Sequence, residues 1–180
     1  MSRIRSRSVA VLFSLCLCLC GFAACKTAEP PPPPPTATGF SCAAEGSYRG
    51  EPVAGTLSRT AAGLLTVTLS RPKTLEGVVM EWNGTDVTLR FGGLSWSVDP
   101  DTIPQTALGK RILQALDAVV YGESAGVLTE DGRLKTEGTV GSGEDAAPFT
   151  VWSDPQTGAL LGLEVPSEEL TLTFSDFQRL

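Results

Sequence analysis

The most informative absence in this 180-residue sequence is histidine, which does not occur at all. Without an imidazole, the chain cannot supply a Ser-His-Asp or Cys-His nucleophile, a histidine-ligated zinc site or an imidazole proton relay. The paired acids, such as Glu144-Asp145 and Glu168-Glu169, stand at expected turns and lack the spacing of an EF-hand. The sequence therefore predicts no catalytic residue, no metal ligand and no cofactor.

Charge and cysteine are scarce as well. Only 19% of the residues are charged, and the formal net charge of −6 argues against nucleic acid as a partner. Four of the five cysteines lie within the first 25 residues, so Cys42 stands alone in the remainder and no intramolecular disulfide is available there. We expect Cys42 to be a small buried apolar residue, and we expect stability to come from the core.

The N-terminus has the parts of an export signal. Three arginines within the first seven residues precede an uncharged apolar stretch at 9–19, and Ala23-Ala24-Cys25 follows. The small residues before a cysteine resemble the lipobox of bacterial lipoproteins. We therefore expect a signal peptide at 1–24 and acylation of Cys25, which would anchor the chain on the outer face of the cell membrane. An uncleaved signal anchor is the alternative, since the apolar stretch is at the short limit for spanning a bilayer.

A proline-rich spacer is expected to follow the acylated cysteine, at 25–38. Its six consecutive prolines, Pro30 to Pro35, favour a polyproline II rod that rises ~3.1 Å per residue. A PxxP ligand for a recognition module is the competing interpretation. The sequence leaves the envelope type, with one or two membranes, and the oligomeric state open.

From residue 40 onward, apolar and polar residues alternate, as in Leu65, Val67 and Leu69 with threonines between them. This period of two predicts strands with one apolar face, and sequences such as Asn83-Gly84 predict the turns. We expect roughly ten strands in an antiparallel meander. The predicted strand segments are 40–49, 53–59, 64–71, 75–82, 85–92, 94–98, 125–130, 133–140, 147–153, 159–165 and 169–176.

One segment, Pro104 to Tyr121, has helical periodicity instead. Apolar residues such as Ile112 and Leu116 recur on one side, while Lys110 and Arg111 are assigned to the polar side. A single amphipathic helix beside a one-sided sheet is expected to cover the apolar face of that sheet. The predicted fold class is therefore mainly β, a curved antiparallel sheet with one helix over its concave face.

The order of these segments resembles the lipoprotein-carrier fold of LolA and LolB, which includes lipoproteins of spore-forming bacteria such as GerS. The stretches that carry the resemblance are Leu65–Pro72, Leu75–Gly77, Trp82–Val87 and Leu170–Phe177. The resemblance covers residues 39–180 and implies a half-barrel whose concave side, closed by helices, holds acyl chains.

We therefore expect a non-enzymatic, membrane-anchored binding module for an acyl chain, a lipoprotein or a hydrophobic partner segment. The alternative is a protein-interaction scaffold of an envelope or sporulation/germination complex, with a packed core and no lipid ligand. For any single aromatic residue, simple core filling competes with a cavity role. The candidate cavity residues are Leu65, Val67, Leu69, Leu89, Phe91, Trp96, Ile112, Leu116, Leu172 and Phe174.

Overall fold

The computed structural model of the protein describes residues 39–121 and 126–180. The predicted signal peptide, Cys25 and the proline-rich spacer lie outside these residues. The described elements are β1 (Phe40–Tyr48), β2 (Glu51–Ala61), β3 (Leu64–Arg71), β4 (Val79–Asn83), β5 (Val87–Phe91), β6 (Leu94–Val98), α1 (Leu108–Tyr121), β7 (Val127–Leu128), β8 (Leu134–Val140), β9 (Ala147–Ser153), β10 (Leu160–Val165) and β11 (Leu170–Arg179). No helix among them is both long and apolar enough to span a bilayer.

All eleven strands form one curved, open antiparallel sheet in the order β6-β5-β4-β3-β2-β1-β11-β10-β9-β8-β7. Strands that are adjacent in sequence are therefore neighbours in the sheet, except that α1 and the segments flanking it connect β6 to β7 at the opposite edge. The first and last strands pair with each other in the middle, with Gly46 opposite Leu172. For the part of the chain that the structure describes, the predicted fold class, a mainly β curved sheet with one helix, is confirmed.

Asx side chains form the turns that the sequence predicted. Oδ1 of Asn83 accepts hydrogen bonds from the backbone N–H groups of Thr85 and Asp86, at 3.0 and 2.8 Å. Oδ1 of Asp154 accepts in the same way from Thr157 and Gln156, and these bonds hold the pKa of Asp154 below its usual value. Short polar residues with local acceptors thus fix the ends of two strand pairs.

The element boundaries differ from the predicted ones where turns intervene. The predicted strand 75–82 begins only at Val79, because Lys73–Leu75 forms a short 3₁₀ helix after Pro72. The predicted helix begins at Leu108, since Pro104 starts a turn whose carbonyl accepts from the N–H of Ala107 at 3.0 Å. The last strand is longer than predicted and continues to Arg179.

α1 packs on the concave face and contacts both arms of the curved sheet, β3 on one side and β8 and β9 on the other. Its apolar side buries Ile112, Leu116 and Val119. Lys110 and Arg111 were assigned to the polar side of the helix, and that assignment is wrong, because both are buried. The buried apolar residues form one cluster that runs from Phe40 to Phe174, so residues 39–180 carry a complete hydrophobic core of their own.

Candidate functional site

The apolar face of the sheet continues beyond the part that α1 covers. Direct cross-strand pairing places Val67, Met80, Leu89 and Trp96 in one row across β3 to β6. Exposure rises along this row, from 2% at Val67 to 45% at Trp96. Within residues 39–121 and 126–180, the outer strands therefore carry core-type side chains that no helix covers.

A close contact between α1 and β4 marks the point at which the helix stops covering the sheet. Gly109, in the first turn of α1, lies directly against the ring of Trp82 on β4, and a Cβ at Gly109 would overlap that ring. Only glycine lets the helix backbone approach the indole so closely. Beyond Trp82 the helix leaves the sheet uncovered.

This contact predicts that replacing Gly109 by alanine lowers the free energy of unfolding, although alanine is the better helix former. Gly109→Ala raises helix propensity by ~1 kcal/mol, yet we expect the overlap with Trp82 to produce a net destabilisation of about 1–3 kcal/mol. Urea unfolding of residues 39–180 measures the change. The same substitution in a Trp82→Leu background should cost much less, because the overlap is gone. A Gly109→Ala variant more stable than the parent would contradict the close packing.

Next to this contact lies an apolar groove of about 350 Å³. One side of the groove is the concave face of β4 to β6. The opposite side is the turn before α1 together with the first turn of the helix. Among the described residues, no charged side chain lines the groove, and Thr102 supplies the one hydroxyl. The lining residues are Met80, Trp82, Val87, Leu89, Val98, Thr102, Ile103, Pro104, Ala107, Leu108 and Gly109.

Lys110 stabilises the turn before α1, which forms the side of the groove opposite the sheet. Its Nζ donates to the carbonyl oxygens of Pro100 and Ile103, at 2.8 and 2.9 Å. The ammonium group therefore holds the backbone of this turn, and Lys110 is not among the residues found to line the groove. Burial of a lysine against two carbonyl groups fixes Ile103 in place over the sheet.

Exposed apolar side chains continue from the groove to the edge of the sheet. Phe91 and Leu94 face each other across the β5–β6 turn on the concave side, and Leu94 is 69% exposed. Together with Trp96 they form an apolar rim, which we define as Phe91, Leu94 and Trp96. Contiguous exposed apolar residues of this kind mark interaction sites on soluble domains.

The interior under the middle of α1 is packed. A crevice of about 20 Å³ between β1, β2, β3, β11 and the helix is large enough for about one water molecule. Seven of the ten candidate cavity residues belong to this packed core: Leu65, Val67, Leu69, Ile112, Leu116, Leu172 and Phe174. Of the other three, Leu89 lines the groove, and Phe91 and Trp96 lie on the exposed rim.

Two ion pairs fix α1 to the sheet. Nε of Arg111 lies 2.5 Å from Oε1 of Glu168, both side chains being almost fully buried, and Nη2 of Arg111 also donates to the carbonyl oxygen of Asp145 at 2.7 Å. Nη2 of the fully buried Arg59 lies 2.6 Å from Oδ1 of Asp117, near the other end of the helix. The helix is thus attached at both ends.

Comparison with known proteins finds similarity in structure alone. No family model matches the sequence, and no curated protein matches it. A solved structure of an uncharacterized conserved protein from Thermus thermophilus is similar at a TM-score of 0.51, with 12% identity over 81% of each chain. Similar at lower TM-scores are LprF from Mycobacterium bovis (0.38, 17% identity, 79% of this chain and 87% of that chain) and a LolA superfamily protein from Nitrosomonas europaea (0.37, 10% identity, 79% and 86%). At these identities the similarity concerns the fold.

The described serine, lysine and cysteine side chains that could serve as nucleophiles or bases show no catalytic arrangement. Ser70 and Lys73 have Ser-x-x-Lys spacing, but both are exposed and Nζ of Lys73 pairs with Glu76 at 2.9 Å. Cys42 is buried, as predicted, and burial raises the pKa of its thiol to about 12. Within the described residues, no cluster of three or more acids or cysteines could hold a metal ion.

Sequence reasoning missed Met80, Val98 and Ile103, which line the groove. Met80 and Val98 stand at concave-face positions of β4 and β6, so the alternation could have placed them on that face. Nothing local in the sequence indicates that Ile103, from a turn, closes the groove from above.

Proposed function

We propose that this chain is a non-enzymatic, membrane-anchored lipoprotein whose groove binds an acyl chain or an apolar segment of a partner. The observation that carries the proposal is the continuity of the groove with the exposed apolar rim. A volume of about 350 Å³ falls at the lower end of ligand pockets, which measure ~300–1,000 Å³. Leu89, which lines the groove, is paired directly with Trp96 of the rim, so a longer ligand would gain additional contact there.

The lining favours hydrocarbon over a polar ligand. Each methylene that leaves water contributes ~0.8 kcal/mol, and no charged lining side chain has to be desolvated to accept it. Thr102 supplies the one hydroxyl among the described lining residues, and that hydroxyl donates to the carbonyl oxygen of Asp99 at 2.7 Å. A ligand held in this way would keep its polar head outside, in water.

A packed interior supports the second candidate, an interaction scaffold without a lipid ligand. The crevice below α1 is too small for an acyl chain, and the helix is attached by buried ion pairs. On that interpretation the apolar rim contacts a protein, and the groove is only a depression beside it.

Native mass spectrometry of residues 39–180, purified from bacterial cells, distinguishes the two candidates. The binding proposal predicts co-purified lipid adducts and binding of dansyl-undecanoic acid, detected by energy transfer from the tryptophans. Protein without lipid adducts that also fails to bind dansyl-undecanoic acid would overturn the binding proposal and favour the interaction scaffold.

A matched pair of substitutions locates the bound probe. Ala107→Phe puts a ring into the groove and is expected to weaken probe binding by tenfold or more, about 1.4 kcal/mol. Ala61→Phe places the same ring at an exposed position on β2, away from the groove, and should leave binding unchanged. Equal affinity of the two variants would show that the probe binds elsewhere.

A further inference from the structure

The outer edge of β6 has the features of a strand that pairs with another chain. β6 lies at one end of the sheet, and its outer side faces no other strand among the described residues. Leu94–Val98 contains no charge and no proline, two of the devices that proteins use to prevent edge pairing. The opposite edge strand, β7, has only two residues.

The geometry of the β5–β6 hairpin shows which backbone groups point outward. Phe91 and Leu94 close a two-residue turn made by Gly92 and Gly93, both with positive φ. The closing pair of such a turn is hydrogen-bonded, and bonded pairs alternate along the ladder. The N–H and C=O groups of Ser95 and Ser97 therefore point away from β5 and are available to a partner strand.

The sequence of β6 is symmetric about its central residue. It reads Leu94-Ser-Trp96-Ser-Val98, with an apolar residue at each end, a serine next to it, and tryptophan in the middle. An antiparallel copy centred on Trp96 places each Ser95 opposite the other copy's Ser97. Because these are the residues with free outward groups, four backbone hydrogen bonds form without any shift in register.

We propose that β6 pairs antiparallel with β6 of a second copy of this chain, on a two-fold axis at Trp96. The two Trp96 side chains then stand directly opposite each other as a non-hydrogen-bonded pair, where side chains are closest. No like charges meet across the axis, because the residues that oppose one another are Leu94 with Val98, the two serines, and tryptophan with itself.

The second copy extends the candidate site. In-plane pairing keeps both apolar faces on the same side of a continuous sheet, so the rim of one copy adjoins the rim of the other. The two grooves then open toward a shared apolar strip around the paired Trp96 residues. This consequence rests on the proposed function, whereas the pairing itself does not.

The contact is small by the standards of stable dimers, which bury ~1,200–2,000 Å². Five paired residues on each side fall well below that range, so the pairing is weak in dilute solution. Attachment of both copies to one membrane raises their effective concentration and strengthens the pairing without any new contact. A cross-linking assay suits an interaction of this kind, because it captures the paired state as it forms.

Single cysteines in residues 39–180 test the register. Trp96→Cys places two thiols on the axis, where opposite Cα atoms lie ~4.5 Å apart, inside the range for a disulfide. Ser95→Cys on both copies gives a separation of ~8 Å, which is too long. Under mild oxidation we expect Trp96→Cys to cross-link about tenfold faster than Ser95→Cys alone. We expect a mixture of Ser95→Cys and Ser97→Cys proteins to form cross-linked heterodimers, because residues 95 and 97 lie opposite each other in the pairing. Cys42 is buried and contributes no background.

Ser97→Pro supplies the control for strand pairing. Its N–H points outward, so proline leaves the β5 ladder intact but blocks the second copy. In the Trp96→Cys background it is expected to abolish the cross-link while the unfolding midpoint of the domain stays unchanged.

Equal cross-linking at positions 95, 96 and 97, or none at position 96, would overturn the dimer. So would a cross-link that persists with Ser97→Pro. The assay uses lipid-free protein, so its failure would leave the groove proposal standing, and failure of probe binding would leave the dimer standing.

Discussion

Cys25→Ser is expected to abolish lipid attachment completely and to weaken membrane association, although the apolar stretch at 9–19 stays on an uncleaved chain. Serine has no thiol, so no thioether to a diacylglyceryl group can form. A single acyl chain holds a protein only marginally, whereas two or three give a stable anchor. Incorporation of labelled palmitate in bacterial cells, followed by membrane fractionation, measures both effects.

Cys20→Ser is the matched control for this prediction. Cys20 lies in the same N-terminal region but follows Leu19 instead of a small residue, so its replacement should leave labelling intact. Label retained on the Cys25→Ser chain would refute the assignment of Cys25, and label lost from Cys20→Ser would move the assignment to that residue.

Glu168→Ala is expected to destabilise the folded domain by about 3–5 kcal/mol, because it leaves the buried Arg111 guanidinium without its counter-ion. The side chains of Arg111 and Glu168 are 1% and 7% exposed, so the pair is largely shielded from water in the folded domain. The loss of the pair also frees the N-terminal part of α1 from the turn between β10 and β11. Urea unfolding of residues 39–180, followed by far-UV circular dichroism, measures the change.

The exposed pair between Arg71 and Glu45 provides the comparison. Its nitrogen and oxygen atoms lie 2.9 Å apart, but both side chains are more than half exposed. Glu45→Ala should therefore cost no more than about 1 kcal/mol. Similar losses for the two variants would contradict the structural role assigned to the Arg111–Glu168 pair.

Much of the sheet follows from local sequence. The alternation around Leu94–Val98 and Leu64–Arg71 predicted both strands to the residue, because each has one apolar and one polar face between clear turns. The pattern failed where a turn interrupts it: the segment after Pro72 reads as strand, yet Lys73–Leu75 forms a 3₁₀ helix. Pairing of β1 with β11 depends on residues more than a hundred positions apart and leaves no local signature.

The candidate site was predicted only in outline. Alternation identifies Leu89 and Trp96 as residues of the apolar face, but it does not say where a helix stops covering that face. That limit is set by the contact of Gly109 with Trp82, a packing detail of two distant segments. Burial of Arg111 was equally out of reach, because its partner Glu168 lies 57 residues further along the chain.

The meeting of the chain ends in mid-sheet has a practical consequence. The N–H of Leu180 donates to the carbonyl of Gly39 at 2.9 Å, so both ends of the domain emerge at one point beside β1 and β11. Five strand spacings of ~4.8 Å put the outer strand β6 about 24 Å away from that point. A fluorescent protein fused after Leu180 would therefore emerge next to residue 39, on the side of the proposed tether, and would start about 24 Å from the free edge of β6.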